Sequence, residues 1–164
     1  MGCCYSIYLI NQLRNLNQEV PFFDLNGQTH LVKVVNVYDG DTCHVVMKFN
    51  NKFYKFKVRA LGYDSPEIKP SVNLANRNKI KEKAIDSRNY LISRITDVNS
   101  PYTLSKDELK EHVKNNKKII ELKCYGWDKY GRLLGEFYTD GINVNKEMID
   151  KNFGYPYDGG TKRV

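Results

Sequence analysis

Between Leu31 and Tyr63 the chain passes three times through runs in which apolar and polar side chains alternate: 31-LVKVVNVY-38, 42-TCHVVMKF-49 and 53-FYKFKVRALGY-63. β-Branched and aromatic residues at a period of two suit half-buried strands, and the gaps hold turn formers, Asp39-Gly40 and Asn50-Asn51. Asp-Gly between alternating apolar residues is a strong hairpin signal, because glycine takes positive φ without steric cost. The spacing predicts a three-stranded β-meander. Lys55, Lys57 and Arg59 alternate with Phe56, Val58 and Ala60, so the third strand presents one charged face.

The rest of the chain builds around that meander. Pro66 forces Ser65 towards extended geometry and makes 64-DSPE-67 a loop. A helix is expected from about Ala75 to Ile95, with Ile80, Ala84, Ile85, Tyr90, Leu91 and Ile95 on its apolar face, until Asn99, Ser100 and Pro101 break it. Ser105 with Glu108 forms a capping box that opens a second helix, 106-KDELKEHVKNN-116. Its charge marks about 96–117 as a solvated insertion. Strand signal returns in 118-KIIELKCYGW-127 and 132-RLLGEFY-138, joined by 128-DKYG-131. Asp140-Gly141 then turns into a last helix, about Val144 to Asn152, with Asn143 as its N-cap. Five strands with a helix between the third and fourth is the order of an OB-type β-barrel with helices, an α+β fold.

At 164 residues the chain fits one domain, read as residues 21–164, preceded by a segment 1–20. That segment sets Ile7, Leu9, Ile10, Leu13 and Leu16 among Asn and Gln, as either a short amphipathic helix or a tether. Gly2 and Ser6 in 1-MGCCYS-6 fit the N-myristoylation pattern, and Cys3 and Cys4 offer thiols for palmitoylation. One acyl chain holds a membrane only marginally, so a second beside it makes physical sense. The competing reading is an ordinary unstructured start. Dual acylation would place a cytosolic protein on the cytoplasmic face of a membrane, since no run is long enough to span one.

Cys43 and Cys124 sit singly in strand-like runs and read as small buried hydrophobes, not as a disulfide framework. Without a CxxC spacing, and with His30, His44 and His112 scattered, the chain lacks the pattern of a zinc site. The net charge of +7 favours an anionic partner such as nucleic acid or an acidic membrane.

This layout carries particular polar residues to strand ends: Asp41 opens the second strand, Arg59 lies on the third, Asp64 and Glu67 follow it, and Arg132 opens the strand after the DKYG turn. Each has a plain structural reading, as a turn former or a surface ion pair. Together they suit one reaction. Carboxylate and carbonyl oxygens suit a hard divalent cation, planar arginines suit phosphate oxygens, and a remaining carboxylate can activate water.

In order and internal residues, 39-DGDT-42, 59-RALGYDSPE-67 and 128-DKYGR-132, followed by 144-VN-145 and a tyrosine-rich end, resemble the staphylococcal nuclease (thermonuclease) family over about residues 31–157. The resemblance implies an OB-type five-stranded barrel and a monomeric Ca²⁺-dependent nuclease that cleaves DNA and RNA to 3′-phosphate products. It implies that Asp41, Asp64 and the Ser65 backbone carbonyl hold the single Ca²⁺, with Asp39 in the outer shell. Ser65 stands where the family typically has threonine. Arg59 and Arg132 would clamp the phosphate and Glu67 would act as general base. Lys129 and Tyr130 would approach a neighbouring phosphate, and either Tyr155 or Tyr157 would pack on the base. The charged segment at 96–117 is longer than the family's equivalent connection, as a decorative loop or a partner-binding element. A non-catalytic OB-type binding module for nucleic acid or protein, tethered to a membrane, is the rival reading; the intact set of acids and arginines argues against it.

Overall fold

The computed structural model describes residues 2–17 and 19–159, with the backbone alone for 2–5. In chain order the elements are α1 Gly2–Arg14, β1 Thr29–Val37, β2 Thr42–Phe49, β3 Lys52–Ala60, β4 Tyr63–Asp64, α2 Arg77–Ile95, α3 Lys106–Asn115, β5 Ile119–Trp127, β6 Leu133–Thr139, β7 Ile142–Asn143, α4 Val144–Asp150 and β8 Tyr155–Pro156. β1, β2 and β3 form the antiparallel meander that the alternation predicts. β5 joins the free edge of β1, and β6 follows β5. A short parallel pairing of β6 with the end of β3, Val58 opposite Leu133 and Ala60 opposite Gly135, closes five strands into a mixed barrel of OB type. Closure leaves these strands with protected edges.

The two meander turns differ. Asn50 and Asn51 both take positive φ, 45° and 63°, as a two-residue primed hairpin turn requires. The connection through Asp39-Gly40 does not. Gly40 lies outside the left-handed region, and a Cβ there would collide with the side chains of Ser87 on α2 and of Ser65. The glycine is needed for close approach, not for its φ. The turn is shaped by Asp39, whose Oδ1 accepts from the backbone N–H of Asp41 (3.1 Å) and Thr42 (2.7 Å).

Inside the barrel Val34, Val45, Val58, Leu122, Leu133 and Phe137 are fully buried. Each such side chain contributes about 1.5–3 kcal/mol relative to exposure. Cys43 and Cys124 are buried free thiols, as expected of small hydrophobes. α2 begins two residues later than its periodicity suggests and caps the barrel with Leu91, Ile92 and Ile95. α4 docks through buried Val144 and Met148. Between them lies Asn145, whose side chain donates to the carbonyls of Leu61 (2.9 Å) and Gly135 (3.0 Å) and accepts from Phe137 N–H (3.0 Å).

Two segments depart from their sequence reading or settle it. The capping box of α3 is formed, with Ser105 N–H donating to Glu108 Oε2 at 2.9 Å. The helix is not wholly solvated, however. Leu109 and Val113 are buried, and Asn116 Nδ2 donates to Val34 O of β1 at 2.6 Å. Two apolar positions one turn apart were enough to dock a helix whose composition is charged. At the N-terminus the helix prevails over the tether: α1 forms, with Ile7, Leu9, Ile10 and Leu13 exposed. For the acylation candidates Gly2, Cys3 and Cys4 only the backbone is described. Among the described residues no helix is long and apolar enough to cross a membrane.

Candidate active site

The barrel brings Asp41, Arg59 and Asp64 to one end. The register sets Thr42 opposite Arg59, and Ala60 N–H donates to Asp41 O at 2.8 Å, so the start of β2 abuts the end of β3. Two residues after Ala60 the chain turns at Gly62, which has φ 87°, and returns as β4. β4 pairs with β8, Asp64 opposite Tyr155.

Arg59 lies between the two acids. Its Nη1 is 2.5 Å from Asp41 Oδ1 and its Nη2 2.8 Å from Asp64 Oδ1. Both carboxylates are almost fully buried, at 3% exposure each. Asp41 Oδ2 accepts from both Ser65 N–H and Ser65 Oγ, each at 2.9 Å, and Oδ1 accepts from Thr42 Oγ1 at 2.9 Å. Burial alone would raise the Asp41 pKa, but the Arg59 charge together with the hydrogen bonds the carboxylate receives outweighs it and holds the group at about 2. Asp39 has no such cation among the described residues. Burial, and then the charge of Asp41, push it up to about 7. Burial favours loss of the Arg59 proton, yet the two carboxylates hold its pKa above the ordinary value.

Aromatic side chains frame this cluster. Buried Tyr63 donates its hydroxyl to Gly40 O at 2.6 Å and braces the Asp39–Asp41 turn. The Tyr155 hydroxyl donates to Asp64 Oδ2 at 3.1 Å. The Tyr157 ring lies 5.7 Å from the Arg59 guanidinium carbon.

The DKYG turn supplies the opposite wall. Asp128 accepts from the backbone N–H of Tyr130 (2.9 Å) and of Arg132 (2.8 Å), and its other oxygen takes Arg132 Nε at 2.6 Å. Burial would raise the Asp128 pKa, but these hydrogen bonds bring it below its ordinary value. The Tyr130 ring lies against both neighbours, 5.1 Å from Lys129 Nζ and 5.5 Å from Arg132 Cζ. Arg59, Lys129, Tyr130, Arg132 and Tyr157 line one open cleft of about 990 Å³.

Of the residues singled out from sequence, the structure brings Asp39, Asp41, Arg59, Asp64, Ser65 and Tyr155 into one contact network. Lys129, Tyr130, Arg132 and Tyr157 share the cleft with Arg59. Glu67 is exposed on the loop leaving Asp64, its Oε1 accepts from Lys69 N–H at 3.3 Å, and it does not line the cleft. Tyr155 braces Asp64 while Tyr157 faces the cleft, which separates two tyrosines that sequence left equivalent. Sequence reading missed Asp128 as the anchor of Arg132 and Tyr63 as the brace of the turn. An aspartate four residues before an arginine across a Gly turn was the available signal for Asp128; nothing local marks Tyr63.

The cluster suits a hard divalent cation in its donor chemistry. Asp41, Asp64 and the Ser65 carbonyl are oxygen donors, and the two buried carboxylates share one guanidinium. Among the described residues no three His, Cys, Asp or Glu gather into a ready metal cluster. An ion there would complete its shell with carbonyl, water and substrate oxygens.

The family model described as staphylococcal nuclease homologue matches residues 57–157, well over half the chain. Asp39 and Asp41 precede that span, and Asp41 is tied into it through Arg59, Ala60 and Ser65. A search of curated proteins finds no match to the chain.

Proposed function

The chain belongs to the staphylococcal nuclease homologue family, and from that premise we propose that it is a Ca²⁺-dependent nuclease, hydrolysing phosphodiester bonds of DNA and RNA and leaving 3′-phosphate products. One observation carries the reading: Arg59 faces the same cleft as Lys129 and Arg132 while it backs onto the buried Asp41 and Asp64. A cleft that carries Arg59, Lys129 and Arg132 against Asp128 and Asp158, with Asp128 already paired to Arg132, suits a phosphodiester better than a neutral or cationic ligand.

Ca²⁺ held by Asp41, Asp64 and the Ser65 carbonyl, with Asp39 in the outer shell, would supply positive charge to the reacting phosphate. Arg59 and Arg132 present planar N–H groups to its non-bridging oxygens, and Asp128 fixes the angle of Arg132 before substrate arrives. Lys129 and Tyr130 hold the neighbouring phosphate, and Tyr157 packs on the base while Tyr155 holds Asp64. Glu67 accepts a proton from water as its oxygen bonds to phosphorus. The P–O5′ bond breaks, and the leaving oxygen takes a proton from solvent. Contacts of this kind read the backbone, so sequence preference is weak and salt dependence strong.

The test is cleavage of plasmid and RNA in Ca²⁺ and in chelator, by the natural protein beside Glu67→Gln and Arg132→Ala. Loss in chelator and in both variants is expected. Equal cleavage by all three proteins would defeat the assignment, and binding without cleavage by the natural protein would make it a binding module.

The same reading makes it a monomer in the cytosol, held to the cytoplasmic face of a membrane by acyl groups on Gly2, Cys3 and Cys4. The exposed Ile7, Leu9, Ile10 and Leu13 of α1 support it, because apolar side chains beside a lipid anchor add membrane affinity. Unchanged membrane partitioning of Gly2→Ala in a eukaryotic cell would remove this part.

A further inference from the structure

A second groove, of about 330 Å³, opens where α2 and α3 meet the end of β1. It shares no lining residue with the cleft and lies instead beside the loops that carry Asp39 and Glu67. Tyr38 at its rim immediately precedes Asp39, and Ile68 and Lys69 immediately follow Glu67. Tyr38 is also joined to the acid cluster through backbone, donating N–H to Thr42 O at 2.9 Å.

The groove is cationic by construction. Arg88 enters from α2, Lys106 and Lys110 from α3 and Lys69 from the loop, and among the described residues no carboxylate lines it. Along α3, positions 106, 109, 110 and 113 share one face. Lys106 and Lys110 therefore flank the buried Leu109 and Val113, while Glu108 and Glu111 are engaged within their own segment. Glu108 is tied to Ser105 N–H (2.9 Å), and Glu111 to Asn115 Nδ2 (2.7 Å). Arg88 is half-buried, donates to Asn89 Oδ1 (3.2 and 3.1 Å), and forms no ion pair among the described residues. Burial holds its pKa below the ordinary value. A half-buried guanidinium without a carboxylate is costly unless an anion reaches it. Val37, Ile92 and Leu109 give the groove an apolar floor.

We propose that this groove is a second substrate subsite, which takes the nucleic-acid strand beyond the scissile phosphate, backbone phosphates on Arg88, Lys106 and Lys110 and a base against Tyr38. Continuity with the loops of Asp39 and Glu67 argues for the strand itself over an unrelated anion. A phosphate chain that leaves the acid cluster meets cations here, and an apolar floor suits a base. The charged segment at 96–117 thereby becomes part of the substrate path. This inference rests on the nuclease reading, and strand length separates the two.

The experiment compares initial rates on thymidine dinucleotide and on decathymidylate in Ca²⁺, for the natural protein, Lys106→Ala/Lys110→Ala and Arg88→Gln. Thermal unfolding of each variant guards against misfolding, and the two exposed lysines carry little structural risk. The expected result is a KM for the decamer raised roughly tenfold in the lysine pair, and raised in Arg88→Gln. Its salt slope falls by about 0.7 for each phosphate left without its cation. Both constants for the dinucleotide and kcat for the decamer stay unchanged. An unchanged decamer KM in both variants, with cleavage intact, overturns the groove and leaves the nuclease standing. Cleavage of neither substrate by the natural protein removes both. Inhibition by polyglutamate that vanishes in the lysine pair, with decamer KM unmoved, assigns the groove to an acidic protein and overturns the proposal.

Discussion

Ser65 donates twice to a single oxygen of Asp41, from its backbone N–H and from its hydroxyl, across 24 positions of chain. The pair welds the loop after β4 to the turn before β2, and it does so under almost complete burial. Removing one donor leaves the other in place but under-solvates a buried carboxylate. Ser65→Ala should therefore cost about 1–2 kcal/mol of stability, whereas Ser65→Thr should cost little. Urea unfolding of both variants checks this.

Arg59 pairs with both Asp41 and Asp64, each almost fully buried. Its removal would leave two buried like charges facing each other. Arg59→Met should destabilise the protein by about 3–5 kcal/mol near neutral pH. Added Ca²⁺ should restore part of the loss, seen as a larger rise in Tm with Ca²⁺ for the variant than for the natural protein.

Asn145 satisfies three backbone groups of β6 and the β3–β4 connection at once. A leucine of similar size would fill the space and take this partner from Phe137 N–H and Leu61 O, while Gly135 O would keep only Leu61 N–H. Asn145→Leu should cost about 3 kcal/mol or more, and hydrogen exchange at Phe137 N–H should accelerate. A loss within the range of a surface substitution would refute the clamp.

Glu147 ties α4 to α2, accepting from the Tyr90 hydroxyl at 2.6 Å and from Arg94 Nε at 2.8 Å. Burial would raise its pKa, but the two donors bring it below the ordinary glutamate value. A depressed carboxylate stabilises the fold above its unfolded-state pKa, and that contribution disappears as pH falls through the folded-state value. Glu147→Gln should thus be less stable than the natural protein by about 1 kcal/mol at pH 7. The two should converge in acid, below the ordinary glutamate pKa. Denaturant midpoints across that range measure it.

Strand alternation from Leu31 to Tyr63 and the capping signals at Ser105 and Asn143 were legible because they are local. Each depends on residues within one turn or one hairpin, and the structure reproduces them with shifts of about two residues at helix ends. Lys106 to Asn116 was harder. Its charged composition outweighed two apolar positions, and only the packing partner, β1, gives Leu109 and Val113 something to bury against. Gly40 is the sharpest case. The dipeptide Asp-Gly spells a primed turn, yet the reason for glycine lies far along the chain, where the Ser87 side chain leaves no room for a Cβ. Tyr63 is hidden for the same reason, since its partner Gly40 lies 23 positions away, whereas the partners of Asp128 are local and only their burial beside the cleft gives them meaning.

By itself, then, the sequence determined the strand and helix periods, the five-stranded order, and which acids and arginines reach strand ends. Those properties follow from side-chain period and turn chemistry, which act over a few residues. Only the tertiary structure decided that Arg59 is clasped by two buried carboxylates, that Tyr155 braces Asp64 while Tyr157 faces the cleft, that Glu67 stands exposed, and that Arg88 lines one groove with Lys106 and Lys110 beside the loops of Asp39 and Glu67. Burial, charge and hydrogen bonding depend on which atoms exclude water from one another, and barrel closure sets that.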